Sequence, residues 1–245
     1  MNSQKNQIIY KDLGIIDFEE AYKIQLALFE QHEQWKINRR RGYDIPPPPD
    51  FILICEHLPV ITIGVSGKES NLLVSQEILQ RRNIKLIKTN RGGDVTAHNP
   101  GQIVMYPILD LERYRCDVKW FLKTMEEAVI SLLREYTIDA IRIEGRTGVW
   151  IRDAHPPRKI CSIGIRCSRW ITMHGLALNV NNDLSIFSLI NPCGFTNIIM
   201  TSMEKETGAK QNIYEVKERL LDHFLRILNE ARNAEVGIDN HPATR

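Results

Sequence analysis

Apolar residues recur at helical spacing in three long segments of the chain. Asp17-Phe18-Glu19-Glu20 has the spacing of a helix cap, and the positions after it predict a helix running toward Trp35. A second helix is predicted over 118–136 and a third over 214–231. The apolar faces consist of Ala21, Ile24 and Leu28; of Phe121, Met125, Ala128 and Leu132; and of Val216, Leu220, Phe224 and Ile227. Each helix therefore has one face to bury.

Shorter apolar runs between these helices predict strands. They cover residues 51–54, 103–109, 141–143, 148–152, 160–168 and 176–180. Because strands and helices alternate without strict βαβ order, we expect an α+β fold in which a mixed β-sheet packs with helices. We expect one domain over residues 1–245.

Composition narrows the class of protein. The 245 residues are 43% hydrophobic and 25% charged, which is ordinary for a globular chain, and a net charge of +2 is too small to indicate nucleic-acid binding. The apolar runs are shorter than the ~20 residues of a membrane span, and the first residues lack a signal-peptide core, so we expect a cytoplasmic protein that does not enter membranes. Five cysteines, an odd number, favour reduced thiols over disulfides.

Two features near the N-terminal half stay open. The basic residues Arg39-Arg40-Arg41, Arg81-Arg82 and Lys85 either form solvated loops or steer an acidic partner. The proline run 46–49 is a stiff connector into the next strand, with recognition by a proline-binding domain as a remote alternative.

The segment from Lys159 to Gly194 contains the material for covalent acyl chemistry. Cys193 follows Pro192 and precedes Gly194, an arrangement typical of a tight turn. An ordinary thiol has a pKa of about 8.5, so it needs a nearby cation to be a thiolate at neutral pH. Lys159 is the candidate cation. On spacing alone, an unremarkable thiol and a solvated lysine are the favoured alternative.

A second region, residues 91–102, reads RGGDVTAHNPGQ and precedes a buried strand. The paired Gly92 and Gly93 let the backbone approach a ligand closely. The alternative is an ordinary glycine-rich hairpin loop.

These segments together resemble the octanoyltransferases of lipoate biosynthesis. The resemblance extends from about Leu13 to Thr201. It rests on four blocks in order, Lys159 to Arg166, His174 to Val180, Asp183-Leu184 with Phe187, and Pro192-Cys193-Gly194, and on the motif R-G-G-(Q/D)-x-T-(Y/F)-H-G-P-G-Q, which residues 91–102 follow except at Ala97 and Asn99. Ala97 stands where an aromatic residue is usual, and Asn99 where glycine is usual.

The resemblance implies a biotin/lipoate protein ligase-like catalytic domain in which Cys193 and Lys159 are catalytic. Small residues let a thioester approach the main chain, so the backbone N–H groups of Ser162 to Gly164 and of Gly175 to Ala177 are candidate donors to the acyl carbonyl. The implied substrate-binding residues are Arg91, Gly92, Gly93, Asp94, Val95, Thr96, Ala97, His98, Ser162, Ile163, Gly164, Gly175, Leu176 and Ala177. His98 and His174 are further candidates for orienting groups.

The implied reaction moves an octanoyl group from acyl carrier protein, through a Cys193 thioester, to a lysine ε-amine on a lipoyl domain. The acceptors implied are the E2 subunits of 2-oxoacid dehydrogenases and the glycine cleavage H protein. The donor carries its own phosphopantetheine, so no cofactor and no metal is expected. The sequence contains no P-loop pattern, and its histidines lack zinc-ligand spacing.

Three alternatives share parts of this pattern. An amidotransferase between lipoyl domains keeps the cysteine and the lysine but uses a different donor. An ATP-dependent lipoate or biotin ligase leaves Cys193 without a purpose. A non-catalytic protein that binds acyl groups or lipoyl domains is suggested by Ala97 and Asn99. Donor preference, adenylate formation and acyl-enzyme formation discriminate among these alternatives.

Overall fold

The computed structural model describes residues 7–152, 155–191 and 198–238, with side chains as far as residue 233. The helices are α1 (Phe18–Arg40), α2 (Gln76–Arg81), α3 (Val118–Glu135), α4 (Met203–Thr207) and α5 (Ile213–Ile238). The strands are β1 (Ile8–Ile16), β2 (Asp50–His57), β3 (Val60–Ile63), β4 (Lys85–Lys88), β5 (Val95–His98), β6 (Gln102–Ile108), β7 (Ala140–Ile143), β8 (Arg146–Ile151), β9 (Arg158–Ser168), β10 (Ile171–Asn179) and β11 (Ile199–Met200). Across these ranges, every helix is too short or too polar to cross a lipid bilayer.

The described strands form two sheets. The larger has the order β1-β2-β6-β10-β9-β8-β7, with β11 beside β9. Its β1–β2 and β9–β11 pairs are parallel and its other pairs are antiparallel. The smaller has the order β4-β3-β5. The predicted α+β class with mixed strand pairing is therefore confirmed, but the strands divide between two sheets where one was expected.

Helices cover both faces of the larger sheet. The apolar faces of α3 and α5, which include Phe121, Leu132 and Phe224, are buried on one side of it. On the opposite side, Ala21 and Phe29 of α1 pack with apolar residues of β2, β6 and β10. All three predicted helices are confirmed. The first continues beyond Trp35 to Arg40, and its Asp17 cap accepts a hydrogen bond from the Glu19 N–H at 2.9 Å.

The predicted strand at 176–180 begins earlier, at Ile171. A two-residue turn, Arg169-Trp170, joins β9 to β10, and both residues have positive φ, 50° and 65°. Such turns usually use glycine or asparagine, so Arg169-Trp170 is not recognisable as a hairpin turn from its residue types. Other elements hold the turn. Lys36 donates to the Arg169 carbonyl at 2.7 Å, and the Leu111 N–H donates to the Trp170 carbonyl at 2.8 Å.

Candidate active site

A cavity lies between the larger and the smaller sheet. Its empty volume, including solvent at the mouth, is ≈ 540 Å³. Phe18 of α1, Val104 and Tyr106 of β6 and Lys159 of β9 contribute to its wall. Of the residues predicted from the sequence to bind substrate, those in the wall are Arg91, Gly93, Asp94, Val95, Thr96, His98, Ser162, Ile163, Gly164, Gly175, Leu176 and Ala177. Both sequence regions singled out for chemistry therefore meet around one space.

Direct main-chain contact brings these two regions together. The Gly92 N–H donates to the Ile165 carbonyl at 2.8 Å. A Cβ on Gly164 would lie only 2.6 Å from the Gly92 carbonyl oxygen. Glycine is therefore required at Gly164, because any side chain would push the 91–94 loop away from β9.

Arg91 and Asp94, which were predicted to bind substrate, also make contacts that hold the glycine-rich loop in place. Arg91 is buried and donates to the carbonyls of Thr62 at 2.8 Å and of Asp94 at 2.7 Å. The Asp94 carboxylate accepts from the Asn71 side-chain amide at 2.6 Å. These contacts attach the glycine-rich loop to β3 and to the 68–71 segment, so both side chains support the cavity wall in addition to facing it.

Ala97 and Gly92 lie apart from this wall. Ala97 is fully buried in the core of the smaller sheet, beside Ile61 and Phe187. The usual aromatic residue would therefore have to fit this core, and the departure at Ala97 falls outside the cavity where the sequence placed it. Gly92 borders a second, more open groove described below.

Lys159 is the buried cation of the site. Its side chain is 3% exposed, and its Nζ lies 5.1 Å from the centre of the Trp150 ring, in a cation–π contact. It lines both the cavity and a neighbouring groove. Gly148 of β8 leaves the space that this lysine occupies, since a Cβ at Gly148 would lie 2.6 Å from Lys159 Cε.

Three buried histidines surround the cavity, and burial keeps them neutral. Burial lowers the pKa of His57 to about 4, that of His98 to about 3 and that of His174 to about 3. At neutral pH each ring therefore has one N–H donor and one acceptor nitrogen. The histidines contribute hydrogen bonds to the site and no positive charge.

Hydrogen bonds fix the tautomers. His57 Nδ1 lies 3.1 Å from the Ile16 carbonyl, which can only accept, so Nδ1 donates and Nε2 accepts from the Tyr106 hydroxyl at 2.7 Å. His98 Nδ1 lies 2.7 Å from Gln102 Oε1, which again makes Nδ1 the donor. Nε2 of His98 is therefore left as an acceptor at the cavity.

Three of the described cysteines lack the low thiol pKa that a nucleophile needs. Burial raises the pKa of the Cys161 thiol to about 12 and also raises that of Cys55 and of Cys167. These three are neutral thiols at physiological pH and make poor nucleophiles. Cys193, the predicted nucleophile, lies outside the described residues.

Comparison with known proteins places the chain in a family. The lipoyl protein ligase A/B catalytic domain matches residues 17–225. The octanoyltransferase of Christiangramia forsetii is 47% identical over 221 residues, which cover 89% of this chain and 94% of that protein. The octanoyltransferase of Parabacteroides distasonis is 44% identical over 220 residues, covering 89% and 97%. The chain belongs to the octanoyltransferase family. It is an acyltransferase that transfers octanoyl groups in protein lipoylation.

A solved structure supports the fold of this octanoyltransferase. The bipartite lipoate protein ligase of Thermoplasma acidophilum, studied with its E2 lipoyl domain, superposes with a TM-score of 0.63 and 17% identity, covering 91% of this chain and 84% of that one. At this identity the likeness concerns the fold alone. The expected lipoate-ligase architecture is confirmed.

Several residues of the octanoyltransferase site were missed by sequence reasoning. Val104 and Tyr106 line the cavity and were assigned only to a buried strand. Their alternation along β6 places them on one face, which is the signal that was available. Gly148 and Trp150 lie beside Lys159, but strand alternation does not predict this, because a bulge between β8 and β9 sets their position.

Proposed function

We propose that this octanoyltransferase takes octanoyl from octanoyl-acyl carrier protein, holds it as a thioester on Cys193, and passes it to a lysine ε-amine of a lipoyl domain. Its acceptors would be the E2 subunits of 2-oxoacid dehydrogenases and the glycine cleavage H protein. The observation that carries this proposal is the position of Lys159, a buried cation at the junction of a cavity with apolar walls and an open groove.

The cavity suits an acyl chain. Phe18, Val104, Leu176 and Ala177 supply apolar surface, and the neutral histidines add no charge. Burying an alkyl chain here contributes about 0.8 kcal/mol for each methylene removed from water. The reactive carbonyl would then lie at the Lys159 end, beside the groove.

In the first half-reaction, the Cys193 thiolate attacks the thioester carbonyl. The bond from the acyl carbon to Cys193 sulfur forms, the bond to the phosphopantetheine sulfur breaks, and the carrier leaves as a thiolate that takes up a proton from solvent. The positive charge of Lys159 stabilises the attacking thiolate. Because the thioester is already activated, the reaction needs no ATP.

In the second half-reaction, the acceptor amine attacks the acyl-enzyme. The carbon–nitrogen bond forms, the carbon–sulfur bond to Cys193 breaks, and an octanoyl amide leaves. Acylation removes the thiolate charge beside Lys159, which favours loss of the proton from this buried ammonium. Lys159 then accepts the proton of the incoming amine as a general base.

Intact-protein mass spectrometry after mixing with octanoyl-acyl carrier protein tests the nucleophile. We expect one octanoyl group on the wild-type protein and none on Cys193→Ala. Cys116→Ala removes an exposed cysteine ahead of α3 and should retain the adduct. No adduct on the wild-type protein, with intact donor and no turnover to an acceptor, would sink the proposal.

Lys159→Arg separates the two roles of the lysine. Arginine keeps the positive charge but does not release its proton near neutral pH. Single-turnover kinetics should therefore show a larger fall in transfer to the lipoyl domain, on the order of 10²-fold or more, than in acylation of Cys193. Near-wild-type rates in both half-reactions would exclude the base role.

A further inference from the structure

The larger sheet contains a gap between β8 and β9 beside Lys159. The pairing of these strands is limited to Val149 with Cys161 and Trp150 with Lys159. Before Val149, β8 continues beside β7 only, where Arg146 pairs with Ile143. The gap opens into a groove whose empty volume, including open solvent, is ≈ 1130 Å³. The groove therefore enters the gap between β8 and β9, next to Lys159.

Main-chain polar groups of β9 point into this gap. The two-residue turn makes Ser168 and Ile171 a hydrogen-bonded pair, so even-numbered residues of β9 direct their N–H and C=O groups toward β10. Odd-numbered residues direct theirs the other way, and the bond from the Gly92 N–H to the Ile165 carbonyl agrees with this. The N–H and C=O of Ile163 therefore face the groove.

Ile163 has no strand partner on that side within the described part of the chain. On the other side, Ile163 lies opposite Leu176 of β10, and these two residues exchange no main-chain hydrogen bonds. A strand edge with both a donor and an acceptor free is the arrangement to which an extended chain adds by backbone pairing. The edge lies in the wall shared by the groove and the acyl cavity, since Ile163 lines both.

Few side chains line the groove where it passes this edge. Gly92, Gly93, Gly145 and Gly164 lie along it. The Gly92 carbonyl and Gly164 are in direct contact, since a Cβ on Gly164 would lie 2.6 Å from that oxygen. A groove lined by main chain suits an unbranched chain with amide groups better than a polypeptide with side chains on both faces.

We propose that the groove binds the pantetheine arm of the donor thioester, with the two secondary amides of the arm paired to Ile163. One amide of the arm donates its N–H to the Ile163 carbonyl, and the carbonyl of the other accepts from the Ile163 N–H. Between its sulfur and its second amide the arm is unbranched. Since Lys159 lines both spaces, the thioester lies at their junction, with the acyl chain in the cavity and the arm in the groove. This inference rests on the proposed function.

The substrate itself supplies the first test. Octanoyl-pantetheine is compared with an analogue in which both amides are replaced by esters, and the rate of acyl-enzyme formation is measured by mass spectrometry without acceptor. We expect kcat/KM to fall about tenfold with the analogue, because the Ile163 carbonyl loses its donor. Reaction of both compounds with a small free thiol controls for their intrinsic reactivity.

A matched pair of variants tests the position of the contact. Ile163→Pro removes the N–H on the open edge, whereas Ile163→Val keeps it. We expect Ile163→Pro to slow acylation about tenfold with the amide donor and with the ester analogue alike, because both keep the carbonyl that accepts from the Ile163 N–H, while transfer from the preformed acyl-enzyme stays near wild type. Ile163→Val keeps the N–H and should retain the wild-type ratio of amide to ester rates. Melting curves report whether Ile163→Pro is folded, and if it is not, the substrate comparison decides alone.

Equal rates with amide and ester donors would overturn the inference and leave the proposed function intact. Acylation at the wild-type rate by folded Ile163→Pro would place the amide contact elsewhere, and slowing of transfer to the lipoyl domain alone would assign the groove to the acceptor. Both results overturn the inference. Failure of both thioesters to label the wild-type protein would overturn the inference, and absence of an adduct from octanoyl-acyl carrier protein as well would overturn the proposed function.

Discussion

At the scale of single residues, the site depends on the space around Lys159. Gly148 adopts φ +121°, a conformation that L side chains rarely adopt, and its N–H donates to the buried Glu126 carboxylate at 3.0 Å. The side of Gly148 that lacks a Cβ faces Lys159, while Trp150 contacts the ammonium. Gly148 thus acts as a positioning residue for Lys159, the lysine proposed to be catalytic.

Gly148→Ala should lower kcat/KM for octanoyl transfer by at least about tenfold. The new Cβ would lie 2.6 Å from Lys159 Cε and 2.5 Å from the Cys161 carbonyl oxygen, so the lysine must move. A misplacement of about 1 Å at a reacting group costs up to 10²-fold. The measurement is steady-state transfer to a lipoyl domain.

Gly208→Ala is the matched control for backbone strain. Gly208 ends α4 with φ +76°, and a Cβ there would meet no atom within 4 Å. This variant should lose about 1–2 kcal/mol of stability and keep wild-type transfer. Equal kinetic losses in the two alanine variants would show that strain, and not displacement of Lys159, explains the result at Gly148.

At the scale of secondary-structure elements, α5 is tied to the motif loop by a buried carboxylate. Glu56, at the end of β2, accepts from the Gly101 N–H at 2.8 Å and lies 3.2 Å from Lys217 Nζ. Lys217 is 3% exposed and also contacts Asp12 of β1 at 3.3 Å. The C-terminal helix, which carried little of the sequence resemblance, is thereby attached to the loop that precedes β6.

Glu56→Gln should reduce the free energy of unfolding by about 2 kcal/mol, measured by urea denaturation. The neutral amide still accepts from Gly101 but no longer offsets the buried Lys217 charge, which is left with the more exposed Asp12.

Glu215→Gln breaks an exposed pair with Arg219 on the same helix and should cost less than about 0.5 kcal/mol. Similar costs for both glutamines would argue against a structural role for the buried carboxylate.

The sequence predicted elements well where a period is sustained. The helix over 118–136 follows its apolar stripe through Phe121 and Leu132, and the structure ends it at Glu135. β3 and β4 are only four residues long, too short for a periodic signal, so the second sheet was not foreseen. The β9–β10 turn was missed because Arg169 and Trp170 are held in positive φ by tertiary contacts and not by their own preference.

The predictions for the site also depended on whether a local sequence signal or a tertiary contact sets the position of a residue. The sequence motifs identified Lys159 and the loop from Arg91 to His98, which the structure brings to one cavity. They placed Ala97 at the substrate, although the strand alternation turns that residue into the core. The position of Gly148 depends on a bulge between β8 and the motif strand β9, and no local pattern reports such a bulge.

At the scale of the whole molecule, the cavity exists because two sheets and α1 close around it. Phe18 stacks on His98 with ring centres 6.1 Å apart, and Tyr22 stacks on His174 at 5.7 Å. His57 and His98 lie 5.7 Å apart, which further opposes protonation of His98. The closed arrangement thus excludes water and holds three imidazoles uncharged, and it should make folding sensitive to acid.

Acidification should destabilise the protein through these histidines. Their folded pKa values, about 4 for His57 and about 3 for His98 and His174, lie below the ordinary value of 6.5. Between those values the unfolded chain binds protons that the folded chain does not, so the free energy of unfolding falls as pH decreases from 6.5 toward 4. From pH 7 to 5.5 the loss is roughly 1 kcal/mol for each histidine.

Urea unfolding at the two pH values checks this, with His98→Gln expected to lose about one histidine's share of the pH dependence. Glutamine is uncharged at both pH values and keeps a donor for Gln102. His155→Gln, at an exposed position, controls for removing a histidine outside the cluster. If His98→Gln kept the full wild-type pH dependence, His98 would have to be protonated as readily in the folded protein as in the unfolded chain. The neutral hydrogen-bonding role assigned to it at the cavity would then be wrong.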